Sequence, residues 1–279
     1  MQTFSLVLSC EHATDALPPD LSGKLVIDPE RARSHRGWDP GALEVARALA
    51  GLTGAPLVAG VVNRLVVDLN RTRGAARFSY ESRQLPAALR QHLLERYWEP
   101  HVAALTALIR ERLMSESSDG AFAMVDAAVD LDSSPARGQV AVSSRETTPR
   151  AVQTAAKRGP GGSGMPVLHL AIHSFTPNLN GEKRRADVAL LYDPRRSPEA
   201  ELCRRWAETL AMQSPLRIRR NYPYRGVSDG LPTYFRRHFA EASYIGIEVE
   251  LNQALFRAGN ASASTGEALA KFLLDSLIA

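Results

Sequence analysis

Short runs of consecutive apolar residues alternate along this chain with longer stretches in which apolar positions recur every three to four residues. The first pattern is that of strands buried on both faces, the second that of amphipathic helices. Phe4–Cys10 (FSLVLSC) reads as the first buried strand, and the Pro-, Asp- and Ser-rich stretch 15–33 as loop with a short helix. Residues 40–52 place Leu43, Ala46 and Ala50 on one helical face, with Asp39 as N-cap, Pro40 at the first position and Gly54 behind the end. Residues 56–62 and 64–69 (RLVVDL) read as two further strands, and 85–114 as a long amphipathic helical region interrupted near Pro100. In the second half, 167–172 (VLHLAI), ending at His173, is the clearest buried strand. Further strands are expected at 187–192, 216–219 and 244–251 (YIGIEVEL), and helices over 197–212 (Ser197 as cap, Pro198 at its first position), 231–239 and 265–278. Strands alternate with helices throughout, which predicts an α/β fold with a mostly parallel or mixed central sheet covered on both faces.

The segment 115–164 departs from this rhythm. Ser, Gly, Ala and isolated charges dominate it, and it ends in the run GPGGSG at 159–164. It reads as a variable surface insertion on one domain spanning 1–279.

Composition narrows the class. The chain has 279 residues, 44% of them hydrophobic and 23% charged, the balance of a folded globular protein with enough length for one large core. No apolar run approaches the ~18–20 residues that cross a bilayer. The N-terminal MQTFSLVLSC lacks the basic start of a signal peptide. Cys10 and Cys203 are too few for a disulfide framework or a thiolate metal cage, so a cytoplasmic location is expected. Of 34 basic residues only four are lysine, and the planar guanidinium suits carboxylate recognition. The net charge of +4 is dilute and no compact basic run carries interleaved aromatics, so neither nucleic acid nor a membrane is an expected partner.

Candidate chemistry gathers where strands are expected to end, the place where such sheets carry their ligands. Glu11 and His12 follow the first strand, Asp68, Asn70 and Arg71 the third, and His173 and Ser174 the central one; Glu248 and Glu250 lie late in the last. Two histidines with several carboxylates suit a catalytic metal, which takes three N/O ligands and keeps one position open. Spacing alone leaves structural histidines as an alternative. Glu248 and Glu250 share one strand face, which in a buried strand points to function because unpaired buried charge is costly; solvated acids on an edge strand are the other reading. Cys10 and His12, two residues apart, could share a strand face and leave a thiol nucleophile open. His92, His101, His169 and His238 read as structural.

Five blocks go further: Cys10-Glu11-His12-Ala13, His35-x-x-Trp38-Asp39-x-Gly41, Arg64-Leu-Val-Val-Asp68-Leu-Asn70-Arg71, Ile172-His173-Ser174-Phe175-Thr176-Pro177 and Asn221-x-Pro223-Tyr224-x-Gly226. In content and order they resemble the N-formylglutamate amidohydrolase family. The resemblance implies a zinc carboxypeptidase-like α/β fold and hydrolysis of an N-acyl amide beside a carboxylate. It implies one zinc ion per chain, with His12 and His173 as ligands and Asp39 as the third, Asp15 being the alternative. Glu250 becomes the general base, with Glu248 as alternative. Asn70 and Arg71 hold the substrate carboxylate, Arg64 binds a second acidic group or polarises the scissile carbonyl, and Asp68 orients an arginine. The implied partner is a small-molecule carboxylate. Another amide, such as a peptidoglycan fragment, and a non-catalytic acid-binding role are the competing readings; oligomeric state is not legible.

Overall fold

β1 (Ser5–Cys10) and β2 (Leu57–Ala59) pair in parallel, the link between them containing helices α1 (Pro29–Arg33) and α2 (Ala42–Thr53). The computed structural model describes residues 4–115, 165–256 and 263–279, with side chains of the last stretch from Thr265 onward. After β2 come α3 (Tyr80–Arg83), α4 (Ala87–Leu93) and, across a π-helical turn at Leu94–Trp98, α5 (Glu99–Met114). The second half supplies β3 (Val167–Phe175), a small hairpin of β4 (Asn178–Leu179) and β5 (Glu182–Lys183), β6 (Val188–Leu191), α6 (Ser197–Gln213), β7 (Ile218–Arg220), α7 (Leu231–His238), β8 (Tyr244–Asn252) and α8 (Ala263–Ile278). The expected insertion at 115–164 lies, but for Ser115, outside the described residues.

Six strands form one mixed sheet in the order β2-β1-β3-β8-β6-β7, parallel except where β6 meets β8. Every residue of β1 and β3 is buried, as strands at the centre of a sheet covered on both faces must be. Strand alternation sorts the side chains. Leu6, Leu8 and Cys10, with Leu168, Leu170, Ile172, Ile247 and Val249, join the core shared with α2, α6 and α8. Val7, Val167 and Tyr244 face the other way, against Leu105 and Ile109 of α5 and Phe235 of α7. By the same parity His169 and His173 of β3 and Glu248 and Glu250 of β8 belong to this second face. His173 lies opposite Glu250 in the β3/β8 register.

Three local expectations are corrected. Residues 64–69 form no strand: Leu65 N–H donates to Asn63 Oδ1, Val66 N–H to Asn63 O and Asp68 N–H to Arg77 O, so the backbone is satisfied without a neighbouring strand. The apolar side chains of this run fill a separate cluster with Ile27, Leu93 and Tyr97. A continuous apolar run signals burial, which an irregular segment achieves as well as a strand. Helix α2 starts at Ala42 rather than residue 40, behind Gly41 at φ 84°. The cap position falls on Gly41, and the Asp39 carboxylate, which caps nothing, faces His12, His173 and the Ser174 N–H instead. Gly41 is required: a Cβ there would stand 2.5 Å from the Phe256 ring. The interruption expected near Pro100 is present as the π-helical turn at Leu94–Trp98, and Pro100 itself is accommodated in the first turn of α5. Ser197 is no cap of α6 either; its N–H is taken by Glu241 Oε1 at 2.8 Å.

Candidate metal centre

Where β1 ends, the chain turns sharply and carries His12 away from the Cys10 side of the sheet. Gly60 crosses this turn so closely that a Cβ would lie 2.0 Å from the Glu11 carbonyl oxygen, and its N–H donates to Cys10 O at 2.8 Å. The Asp39 N–H in turn donates to His12 O at 3.0 Å. These contacts bring His12, Asp39 and β3-borne His173 together, each about 3% exposed or less. One oxygen, Asp39 Oδ2, lies 3.2 Å from His12 Nδ1 and 2.9 Å from His173 Nδ1, and also takes the Ser174 N–H at 3.3 Å. The three side chains offer ligand atoms all within 4.8 Å of one another, a set that can hold a metal ion.

The other nitrogen of each ring is backed by a carboxylate. His12 Nε2 lies 2.8 Å from Asp68 Oδ1, and His173 Nε2 lies 3.0 Å from Glu11 Oε2. Asp68 thus does two jobs, since its second oxygen accepts from Arg64 at 3.0 Å. Burial would raise the Asp68 carboxyl, but Arg64 and His12 hold it well below the usual range. Burial likewise opposes charge on Asp39, and His12 and His173 outweigh it and keep it ionised. At His173 burial favours the neutral ring, yet Asp39 and Glu11 raise its pKa well above the ordinary value. A field that draws a proton so strongly is one that welcomes a cation. Two imidazole nitrogens and one carboxylate oxygen are also the borderline donor set of zinc. The residues present therefore fit a divalent metal.

A cavity of about 200 Å³ opens from this cluster. Arg64, Asn70, Arg71 and Glu250 line it beside the three ligand candidates, as do Glu248, Tyr224 and Arg225; Asp15 does not. Arg64 is ion-paired with Asp68 and lies 3.6 Å from Asp39. Arg71 donates to the carbonyl of Asp229 at 2.6 Å, and neither it nor Arg225 forms an ion pair among the described residues. Asn70 is locked by both ends of its amide: Oδ1 accepts the Leu231 N–H at the start of α7 and Nδ2 donates to Glu248 Oε1 at 3.0 Å. Glu250 contrasts with its neighbour. Its Oε2 is buried without a hydrogen-bond partner, and burial pushes its carboxyl up to about 8.

The thiol alternative fails on geometry. Cys10 sits in the core on the α2 side and burial pushes its thiol up, away from a reactive thiolate. Sequence reasoning missed the support that Glu11 and Asp68 give the two histidines. It also missed Arg225, which occupies a variable position of its block. His169, read as structural, is indeed held between Ser9 Oγ and the Tyr244 hydroxyl at 2.8 Å each.

The fold recurs in solved structures. A gene product from Agrobacterium tumefaciens superposes with a TM-score of 0.68 at 24% identity, over 98% of this chain and 89% of that one. An N-formylglutamate amidohydrolase from Ralstonia eutropha superposes with a TM-score of 0.61 at 18% identity, over 100% of this chain and 94% of that one. At these identities the likeness shows the fold. No functionally curated protein matches in sequence. The sequence profile of the N-formylglutamate amidohydrolases matches residues 4–127 and 150–257, and the chain belongs to that family.

Proposed function

We propose that this protein is a zinc-dependent amidohydrolase that cleaves the N-acyl amide of a small acidic amino acid, with N-formylglutamate as the type of substrate. The observation that carries the reading is the convergence of His12, Asp39 and His173 on the wall of a small cavity that also holds Glu250, whose Oε2 has no hydrogen-bond partner among the described residues. Zinc, when bound by these three residues, supplies Lewis-acid chemistry that polarises a carbonyl and acidifies a water.

The rest is done by the chain. Glu250 Oε2 takes a proton from the attacking water and returns it to the leaving amine nitrogen; its raised pKa suits a group that must do both near neutrality. Glu248, tied to Asn70, holds that amide in place and is the less available base. Arg71 keeps part of its guanidinium for the loop carbonyl of Asp229 and offers the remainder to the substrate α-carboxylate. Arg64, already paired, compensates Asp68 and Asp39 and serves the substrate less directly than Arg71. Arg225 is the second cavity guanidinium without an ion pair among the described residues, and supports a substrate with two acidic groups. A cavity of about 200 Å³ favours a small amide over a peptidoglycan fragment. The composition supports a cytoplasmic enzyme without nucleic-acid or membrane partners, and no described helix is long and apolar enough to cross a membrane.

The test is a screen of N-acyl amino acids on zinc-loaded protein, with metal content measured alongside. Turnover that prefers N-acyl glutamate or aspartate is expected. A zinc-loaded protein inert toward the whole panel would overturn the reading.

A further inference from the structure

Glu11 is 0% exposed, and neither of its carboxylate oxygens receives a well-aligned hydrogen bond. An ionised carboxylate so placed is costly unless something compensates it. What surrounds it is specific. Oε2 lies 3.0 Å from His173 Nε2, and Oε1 lies 3.7 Å from Nε2 of His101 on α5. The distance to His173 is already that of a charge-assisted hydrogen bond; only the angle is off.

The backbone that presents Glu11 has little room to shift, because Gly60 packs against the Glu11 carbonyl itself. Strand parity turns the side chain to the α5 side of the sheet, directly behind the imidazole of β3. His173 is therefore approached at both ring nitrogens, with Asp39 at Nδ1 and, at Nε2, Glu11 at 3.0 Å and the Asn70 amide nitrogen at the longer distance of 3.4 Å. His12 repeats the pattern, with Asp68 at Nε2 and Asp39 at Nδ1. In both rings the nitrogen nearer the ligand cluster is Nδ1.

We propose that Glu11 is the positioning residue of the metal centre: it fixes His173 with its Nε2–H toward the buried carboxylate and its Nδ1 lone pair toward the metal. The proposal rests on the metal-dependent reading above for the existence of the metal, and adds which nitrogen binds it and why a charge is kept under the site. A negative charge behind a ligating imidazole fixes its tautomer and makes it a better donor, and removing such partners typically weakens metal binding ~10–100-fold.

The experiment compares wild type with Glu11→Gln, which keeps side-chain size and removes the charge. Zinc affinity is measured by chelator competition, and thermal unfolding is followed on the metal-free proteins. The expected result is zinc binding weakened ~10–100-fold in the variant, with a change in metal-free Tm too small to account for the loss. Unchanged affinity overturns the proposal. So does a lowered metal-free Tm with unchanged affinity, the signature of a purely structural residue. Wild type that takes up no zinc overturns the metal-dependent reading and this proposal with it; wild type and variant binding equally well overturns this proposal alone. If Glu11→Gln does not fold, the zinc-loaded wild-type crystal structure decides: coordination through His173 Nδ1, with Nε2 on Glu11, is required, and coordination through Nε2 overturns the proposal.

Discussion

The Nδ1 atoms of His12 and His173 meet at a single oxygen, Oδ2 of Asp39, at 3.2 and 2.9 Å, with the two ring centroids 5.1 Å apart. One residue leaves the end of β1, the other rides inside β3, and the third sits in the link to α2, so three separate parts of the chain must be in register for the cluster to exist. A chance meeting of surface groups would not be buried on all three members.

Metal content follows from that convergence. His12→Ala, His173→Ala and Asp39→Ala should each reduce bound zinc from about one equivalent to a small fraction, because two remaining ligands do not complete a catalytic site. Asp15→Ala should keep its metal, since Asp15 lies outside the cavity and its backbone carbonyl accepts from Asn63 instead. Metal analysis of the four purified variants checks the assignment, and loss of metal in the Asp15 variant with retention in the Asp39 variant would reverse it.

The two glutamates of β8 should separate in kinetics. Glu250→Gln should keep fold and metal and lose roughly 10²–10⁴-fold in kcat, the usual contribution of a general base. Glu248→Gln should lose far less, since it removes an ionic partner of Asn70. A base must be deprotonated to act, so kcat/KM should rise with pH. The midpoint should fall at or below about 8, the value to which burial raises the metal-free carboxyl, since a nearby cation can only lower it. A pH–rate profile that keeps this limb in Glu250→Gln would move the base role elsewhere.

How far the sequence reveals this arrangement depends on what each feature rests on. β1, β3 and β8 are legible because a buried strand writes its burial into every position, and the polar residues at their ends stand out against it. Asp39 is legible as a residue of interest, although its expected capping role dissolves once Pro40 and Gly41 delay the helix. Residues 64–69 mislead because apolar continuity reports burial and is silent about hydrogen-bond partners. The antiparallel pairing of β6 with β8 depends on contacts between distant segments that no local pattern encodes. Glu11 is hidden for a related reason: its carboxylate acquires meaning only when β3 is laid beside β1 and His173 comes within 3.0 Å.

His169 makes acid stability testable. Burial, aided by the charges of His101 and Arg236, pushes its pKa down to about 4, so the folded ring stays neutral where an unfolded histidine, with a pKa of about 6.5, has taken a proton. Between these values the unfolded histidine binds more protons, so the contribution of His169 to stability falls as pH drops from about 6.5 to about 4 and levels off below. The contribution is at most about 3 kcal/mol, from ~1.4 kcal/mol per pKa unit. His169→Gln should lose some stability at pH 7, where Ser9 and Tyr244 lose their partner, and should show a shallower decline on acidification. Denaturant unfolding of both proteins at several pH values reads the difference; parallel curves would show that His169 does not carry the slope.

Substrate choice tests the arginines. Arg71 is expected to clamp the α-carboxylate with the part of its guanidinium not used on Asp229 O, placing the scissile amide beside the metal ligands. Hydrogen bonds to charged groups contribute about 1.5–3 kcal/mol, so Arg71→Ala should lower kcat/KM for a free N-acyl acid by roughly 10–100-fold or more. The damage should reach kcat as well as KM, because a substrate held loosely no longer presents its carbonyl in line. Lysine should not rescue the position, since an ammonium cannot present the planar fork. Wild type should strongly prefer free acids over their α-amides, and Arg71→Ala should lose that preference. Arg225→Gln offers a second axis: it should reduce turnover of N-acyl glutamate while leaving the N-acyl glutamine rate near wild type, because only the former brings a second carboxylate to a guanidinium that forms no ion pair among the described residues. Equal hydrolysis of acids and amides by wild type would remove the clamp, and with it the physical ground for an N-acyl amino acid as substrate.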